Sequence, residues 1–171
     1  SAGGPFNIQI TCNSETKTIN NVLIGEVWLS SGQSNMEMTL SGNNREPVIG
    51  SLDAIANSNN SKIRFFNVKE NVSKERNDNV EGEWLESNFK NTPNFSAVAY
   101  SFAKYIHESL EVPIGIISSA WGGTPAEAWA EKSFLDKEFK PGIIINNSDE
   151  KFEEYNPGYL FNAMLKPLIL S

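Results

Sequence analysis

A serine, a glycine pair and one histidine are the residues of this chain whose types and placement could do chemistry. Ser34 stands in Gly32-Gln-Ser-Asn-Met36, where an apolar run stops at a glycine and a helix begins. A strand-to-helix turn of that kind presents a hydroxyl at the end of a sheet, where backbone N–H groups converge. Attack on an acyl carbon needs such a hydroxyl, a base to take its proton, and N–H donors for the oxyanion. A plainer reading competes. Ser34-Asn-Met-Glu37 also fits the S-x-x-E capping box, in which the serine only caps a helix. The two are compatible if the hydroxyl faces solvent. The G-x-S-x-G elbow of ordinary α/β-hydrolases is absent, because Met36 replaces its second glycine.

Gly122-Gly123 ends a second apolar run. As a plain turn it needs glycine for its backbone angles. As a functional element it would offer a backbone N–H to an oxyanion across the strand-end rim from Ser34. No lysine follows the pair, so it is not a phosphate loop. His107 is the single histidine. It falls near the end of a helix that runs away from that rim, where a cation suits the helix dipole. Trp121 and Trp129 flank the glycine turn; core packing and, for Trp121, stacking on a sugar ring are both open. The acidic residues lack metal-ligand spacing, so no metal is expected.

The elements that must position these residues alternate. Residues 6–10 alternate as a short strand and 13–21 are polar and turn-like. Residues 22–31 are apolar enough for a strand buried on both faces. A helix starts at Ser34, and another spans 46–57 with Val48, Leu52 and Ile55 at helical spacing. The stretch 62–68 is a strand, 69–92 a long polar excursion, and 93–110 a helix with Val98, Phe102, Ala103, Ile106 and Leu110 on one face. Residues 113–119 form a third strand. Thr124-Pro-Ala-Glu127 then starts a helix as a capping box with proline at its first position. Asn156-Pro157 opens a last helix to Leu165, and 168–170 resemble the approach to a fourth strand. Strands alternating with helices indicate an α/β domain with a parallel sheet.

The bulk numbers exclude several classes. The chain has 171 residues, enough for one domain, and carries a net charge of −7. That charge disfavours nucleic acid and anionic membrane surfaces as partners. Cys12 is the only cysteine, so no internal disulfide can form. No apolar run approaches the ~20 residues of a membrane span. The opening Ser1-Ala-Gly-Gly-Pro5 reads as a cut rather than a natural start.

Four blocks in order carry a resemblance: GEVWLSSGQSNMEM, FSAVAYSFAKYI, PIGIISSAWGGTPAEAW and YLFNAMLKPL. Together they resemble the SGNH-type carbohydrate O-acetylesterases of the sialate O-acetylesterase group. Residues 69–92 and 131–155 match least. The resemblance implies a flavodoxin-like, three-layer α/β/α fold (the SGNH hydrolase fold) with its parallel sheet incomplete in this chain. It implies that Ser34 is the nucleophile and that Ser34 and Gly122 or Gly123 form the oxyanion hole. Gln33 and Asn35 match the serine's motif neighbours and, with Trp121, are the candidate substrate contacts. The family's Gln-Gly-Glu-type block and its late Asp-x-x-His block have no match here.

On that footing, residues 1–21 are the end of a preceding β-rich region, and 22–171 are the first half of an esterase domain. The expected partner is an acetylated carbohydrate, sialic acid above all, with no cofactor. The expected setting is secreted or periplasmic and bacterial. The expected open sheet edge, at 114–119, would receive the missing half or a second copy. A non-catalytic sugar-binding module and, more distantly, a flavodoxin-like nucleotide binder are the readings from other classes.

Overall fold

The computed structural model describes residues 1–43, 45–139 and 150–169. It opens with an antiparallel hairpin, β1 (Gly3–Cys12) and β2 (Glu15–Ile24). Residues 13–21, expected as a turn, are mostly strand: β-branched Thr16, Thr18 and Ile19 pair across the hairpin with Thr11, Gln9 and Ile8. The hairpin is tied to the rest by Arg64, whose guanidinium donates to the Asn21 carbonyl at 2.6 Å and to Asn21 Oδ1 at 2.7 Å.

The expected strand at 22–31 is two strands broken at Gly25. After the break, β3 (Glu26–Gly32) begins with Glu26 N–H bonded to the Pro113 carbonyl at 3.0 Å. Then come α1 (Ser34–Glu37), α2 (Ser51–Ala56), β4 (Asn60–Asn67), β5 (Trp84–Ser87), α3 (Ala97–Leu110), β6 (Ile114–Ala120) and α4 (Lys132–Glu138). The sheet order is β3-β6-β4-β5. The first three strands are parallel, as expected, and β5 is antiparallel to β4. The long polar excursion therefore holds an edge strand.

This order moves the open edge. The chain passes from β3 over one strand position to β4, and β6 then fills the gap, so the strand at 114–120 is central. Its Ile114 and Ile116 are 1% exposed. The edges are β3, which among the described residues pairs only with β6, and the short antiparallel β5, which pairs only with β4. Val27, Trp28 and Leu29 are 61%, 44% and 49% exposed, contrary to the expectation of burial on both faces.

Each face of the sheet has its own core. On one face Ile63, Phe65, Ile114 and Ile116 meet Leu40, Phe95, Tyr100 and Ala103, with Phe65 stacked on Phe95 at 4.2 Å. Ser96 caps α3 by accepting from Ala99 N–H at 3.3 Å. The helix turns Ala99, Tyr100 and Ala103 inward, while Val98, Phe102 and Leu110 of the expected stripe stay exposed. That stripe leans toward the edge strand: Phe102 meets Trp28 edge to face at 5.2 Å. On the other face Val68, Ala128, Leu160, Ala163 and Met164 cluster with Phe66 and Ile117. Buried Ser119 reaches across to donate to the Met164 carbonyl at 3.1 Å.

The last helix does run to Leu165, but through a π turn at Phe161–Leu165 succeeded by a 3₁₀ turn at Lys166–Leu168. The stretch 168–170, expected as the approach to a fourth strand, has Leu168 in that 3₁₀ turn, and Leu170 lies outside the described residues. Among the described residues, no helix is long and apolar enough to cross a membrane.

Candidate active site

The ends of β3 and β6 lie side by side, with Gly32 in register with Ala120. Ser34 and the glycine pair come directly after these two ends. Trp121 N–H donates to the Gly32 carbonyl at 3.1 Å, extending the pairing past the last register position. Gln33 Nε2 adds a long contact of 3.5 Å to the Thr124 carbonyl. The rim expected from the sequence therefore exists.

Ser34 does not cap its helix. It is the first helical residue; Gln33 holds the cap position and makes no side-chain capping bond. The capping box is absent because Glu37 points elsewhere. Its carboxylate crosses to the other strand end, where Oε2 accepts from Gly122 N–H at 2.8 Å. Ser34 itself is exposed, as are Gln33 and Asn35.

Gly122 is packed against the serine. A Cβ built on it would stand 3.2 Å from Ser34 Oγ and 3.5 Å from Ser34 Cα, and would collide with Glu37 Oε2. Gly123 differs in every respect. It is exposed, has φ +79, and a Cβ there would meet nothing within 4 Å. Its N–H has no partner among the described residues.

The turn beyond is fixed by side chains rather than by the expected α-helix. Thr124 Oγ1 donates to the Trp121 carbonyl at 2.7 Å and accepts from Trp129 Nε1 at 2.8 Å. With that hydroxyl engaged, Thr124 is no cap. The chain continues into a 3₁₀ turn, Ala126–Trp129, with Pro125 in extended conformation before it. Trp121 and Trp129 are half-buried and pack against the Val68–Met164 core.

Glu70, which sequence reasoning misses, stands beside this site at the start of the long excursion. Desolvation, a hydrogen bond with Glu37, and the charges of Glu37 and Glu154 raise its carboxyl above the usual range. A polar cleft of about 190 Å³ opens there, lined by Glu37, Thr39, Asn67, Glu70, Asn94 and Ser118. The one signal for it in the sequence is Glu37, which the capping-box reading absorbs.

His107 sits at the opposite end of the sheet. Its Nδ1 shares a hydrogen bond of 2.7 Å with the Val112 carbonyl, just before β6 begins. The strand's length separates it from the Ser34 rim by about 20 Å, at roughly 3.3 Å per residue.

Residues 24–158 match the family model described as carbohydrate esterase, sialic acid-specific acetylesterase. The chain belongs to this family. Within it, curated sialate O-acetylesterases from rat and mouse are 30% and 34% identical to the chain, over 97% and 87% of its length. The chain covers 37% and 28% of those two proteins, about a third of their length. A crystal structure of a carbohydrate acetylesterase from Xanthomonas citri superposes with a TM-score of 0.81 at 32% identity. That likeness covers 98% of this chain and 35% of that one.

Proposed function

We propose that this chain is the nucleophile-bearing part of a carbohydrate O-acetylesterase that removes acetyl groups from a sialic acid. The observation carrying this reading is Ser34 Oγ at the strand-end rim with Gly122 packed against it and Gly123 next in the turn. Ser34 Oγ attacks the acetyl carbonyl carbon, and its proton passes to a histidine. The oxyanion rests on backbone N–H groups of Ser34 and of the 122–123 pair. The tetrahedral species expels the sugar oxygen, which takes that proton, and leaves acetyl-Ser34. Water then releases acetate and restores the serine.

His107 is too distant to serve as this base, so we assign the base to residues outside these 171. In the same reading, residues 22–171 are the first half of a three-layer SGNH esterase domain, and 1–21 close a preceding β-rich region. Gln33, Asn35 and the exposed part of Trp121 would border the sugar. The rest of the domain would adjoin the open β3 edge. No cofactor enters the scheme, and the setting is secreted or periplasmic.

The test is hydrolysis of an acetylated sialic acid by the complete enzyme, with and without Ser34→Ala. Acetate release lost in the variant supports the reading; unchanged release overturns it. The distance of His107 from Ser34 favours one other reading, a sugar-binding module without catalysis. That module would bind saccharide equally well with and without Ser34→Ala and would form no adduct with an organophosphate.

A further inference from the structure

Two acceptors compete for one glycine pair. In acyl transfer an oxyanion needs a free N–H, yet Gly122 N–H is already taken by a carboxylate. Glu37 lies three residues after Ser34, so helical geometry puts both on one side of α1. A carboxylate accepting from an N–H is a charge-assisted bond, stronger than its neutral counterpart. Gly122 without a Cβ is what lets Glu37 Oε2 and Ser34 Oγ approach the same point of the turn.

We infer that Glu37 is a positioning residue: it holds Gly122 N–H, pins the 121–123 turn against Ser34, and leaves Gly123 N–H as the oxyanion donor. This rests on the esterase reading for its catalytic half only. Three features support the division. Glu37 shares the wall of the polar cleft with Glu70, and its hydrogen-bond partner is Gly122 N–H at 2.8 Å across the rim. Gly123 is exposed, with open space on its Cβ side. Its N–H is unclaimed among the described residues. The glycine that touches the serine and the glycine that would serve the substrate are thus different residues. Misplacing such a turn by about 1 Å is enough to cost on the order of 100-fold in rate.

Two measurements decide it. The first is amide hydrogen exchange of Gly122 in the complete protein, a readout that needs no activity. Exchange is expected to be slow in the wild type and in Glu37→Gln, whose amide oxygen can still accept. It should be at least about tenfold faster in Glu37→Ala. Equal rates in all three overturn the inference.

The second is acetyl-ester turnover by the complete enzyme. Glu37→Ala should lower kcat by about 10- to 100-fold with KM within about twofold, and Glu37→Gln should restore most of it. A change in KM alone would make Glu37 a substrate contact and overturn the positioning role. Unchanged kcat beside an inactive Ser34→Ala would also overturn it while leaving the esterase reading intact. A fully active Ser34→Ala would instead sink the esterase reading, and Gly122 exchange would still decide whether Glu37 holds the turn.

Discussion

Glu37 Oε2 and Gly122 N–H are joined at 2.8 Å across 85 residues of chain. This bond closes the gap between the ends of β3 and β6, and it explains why a serine that fits a capping box has no capping role. The acid that would complete the box is bound to the neighbouring strand end. Ser34 is left at the surface with its hydroxyl uncommitted by any described hydrogen bond.

Gly122→Ala and Gly123→Ala should behave differently. At Gly122 the new methyl meets Ser34 Oγ at 3.2 Å and collides with Glu37 Oε2. The turn must shift, at about 1–3 kcal/mol of stability, and acyl-enzyme formation should be lost with it. At Gly123 the methyl has room, and the cost is the left-handed backbone alone, about 1–2 kcal/mol. Denaturant midpoints and labelling of Ser34 by an organophosphate in the complete enzyme check both. Equal labelling by the two variants would count against a tight Ser34–Gly122 contact.

His107→Ala should leave esterase turnover of the complete enzyme within about twofold of wild type, about 0.4 kcal/mol on the barrier. The lost bond to the Val112 carbonyl should cost about 1 kcal/mol of stability. Turnover collapsing with a normal melting curve would return His107 to the mechanism.

Glu70 gives the chain a pH signature. Its carboxyl lies above the usual range because of desolvation and the adjoining Glu37 and Glu154. The folded state therefore holds this proton to higher pH than the unfolded chain does. Stability falls as pH rises from the ordinary carboxylate range through the raised value. Glu70→Gln should remove that decline, so the variant gains on the wild type at neutral pH and the gain vanishes in acid. Urea midpoints of both proteins at about pH 4 and about pH 7.5 measure this; a gain confined to acid would contradict it.

The open edge predicts association. β3 offers an unpaired ladder side with Val27, Trp28 and Leu29 exposed. Such an edge invites pairing with another chain. The 171-residue chain should self-associate in light scattering, and Leu29→Lys should shift it toward monomer. A monodisperse wild-type monomer at high concentration would argue that the edge is protected.

Much of the site is legible in one dimension because turns announce themselves locally. An apolar run, a glycine and a short polar residue mark the Ser34 turn; a second run and two glycines mark its neighbour. Their adjacency is implied by the parallel α/β pattern and is met by the Gly32–Ala120 register. Other features mislead for equally physical reasons. The Val98–Leu110 stripe is apolar at helical spacing, but periodicity does not say whether a stripe meets this chain's core or is left bare. Thr124 has the makings of a cap, yet Trp129 Nε1 and the Trp121 carbonyl claim its hydroxyl first.

The sequence alone determined which residue types are available for chemistry: a serine and a glycine pair at two turns, and a single histidine. It also determined family membership, since ordered blocks survive without any coordinates. Only the tertiary structure decided which strand is central, which edge stays open, and which glycine touches the serine. Those depend on where β6 inserts and on a carboxylate bonding an amide 85 residues away. Local propensity carries no information about partners that far along the chain, because such contacts form only when the sheet brings its strand ends together.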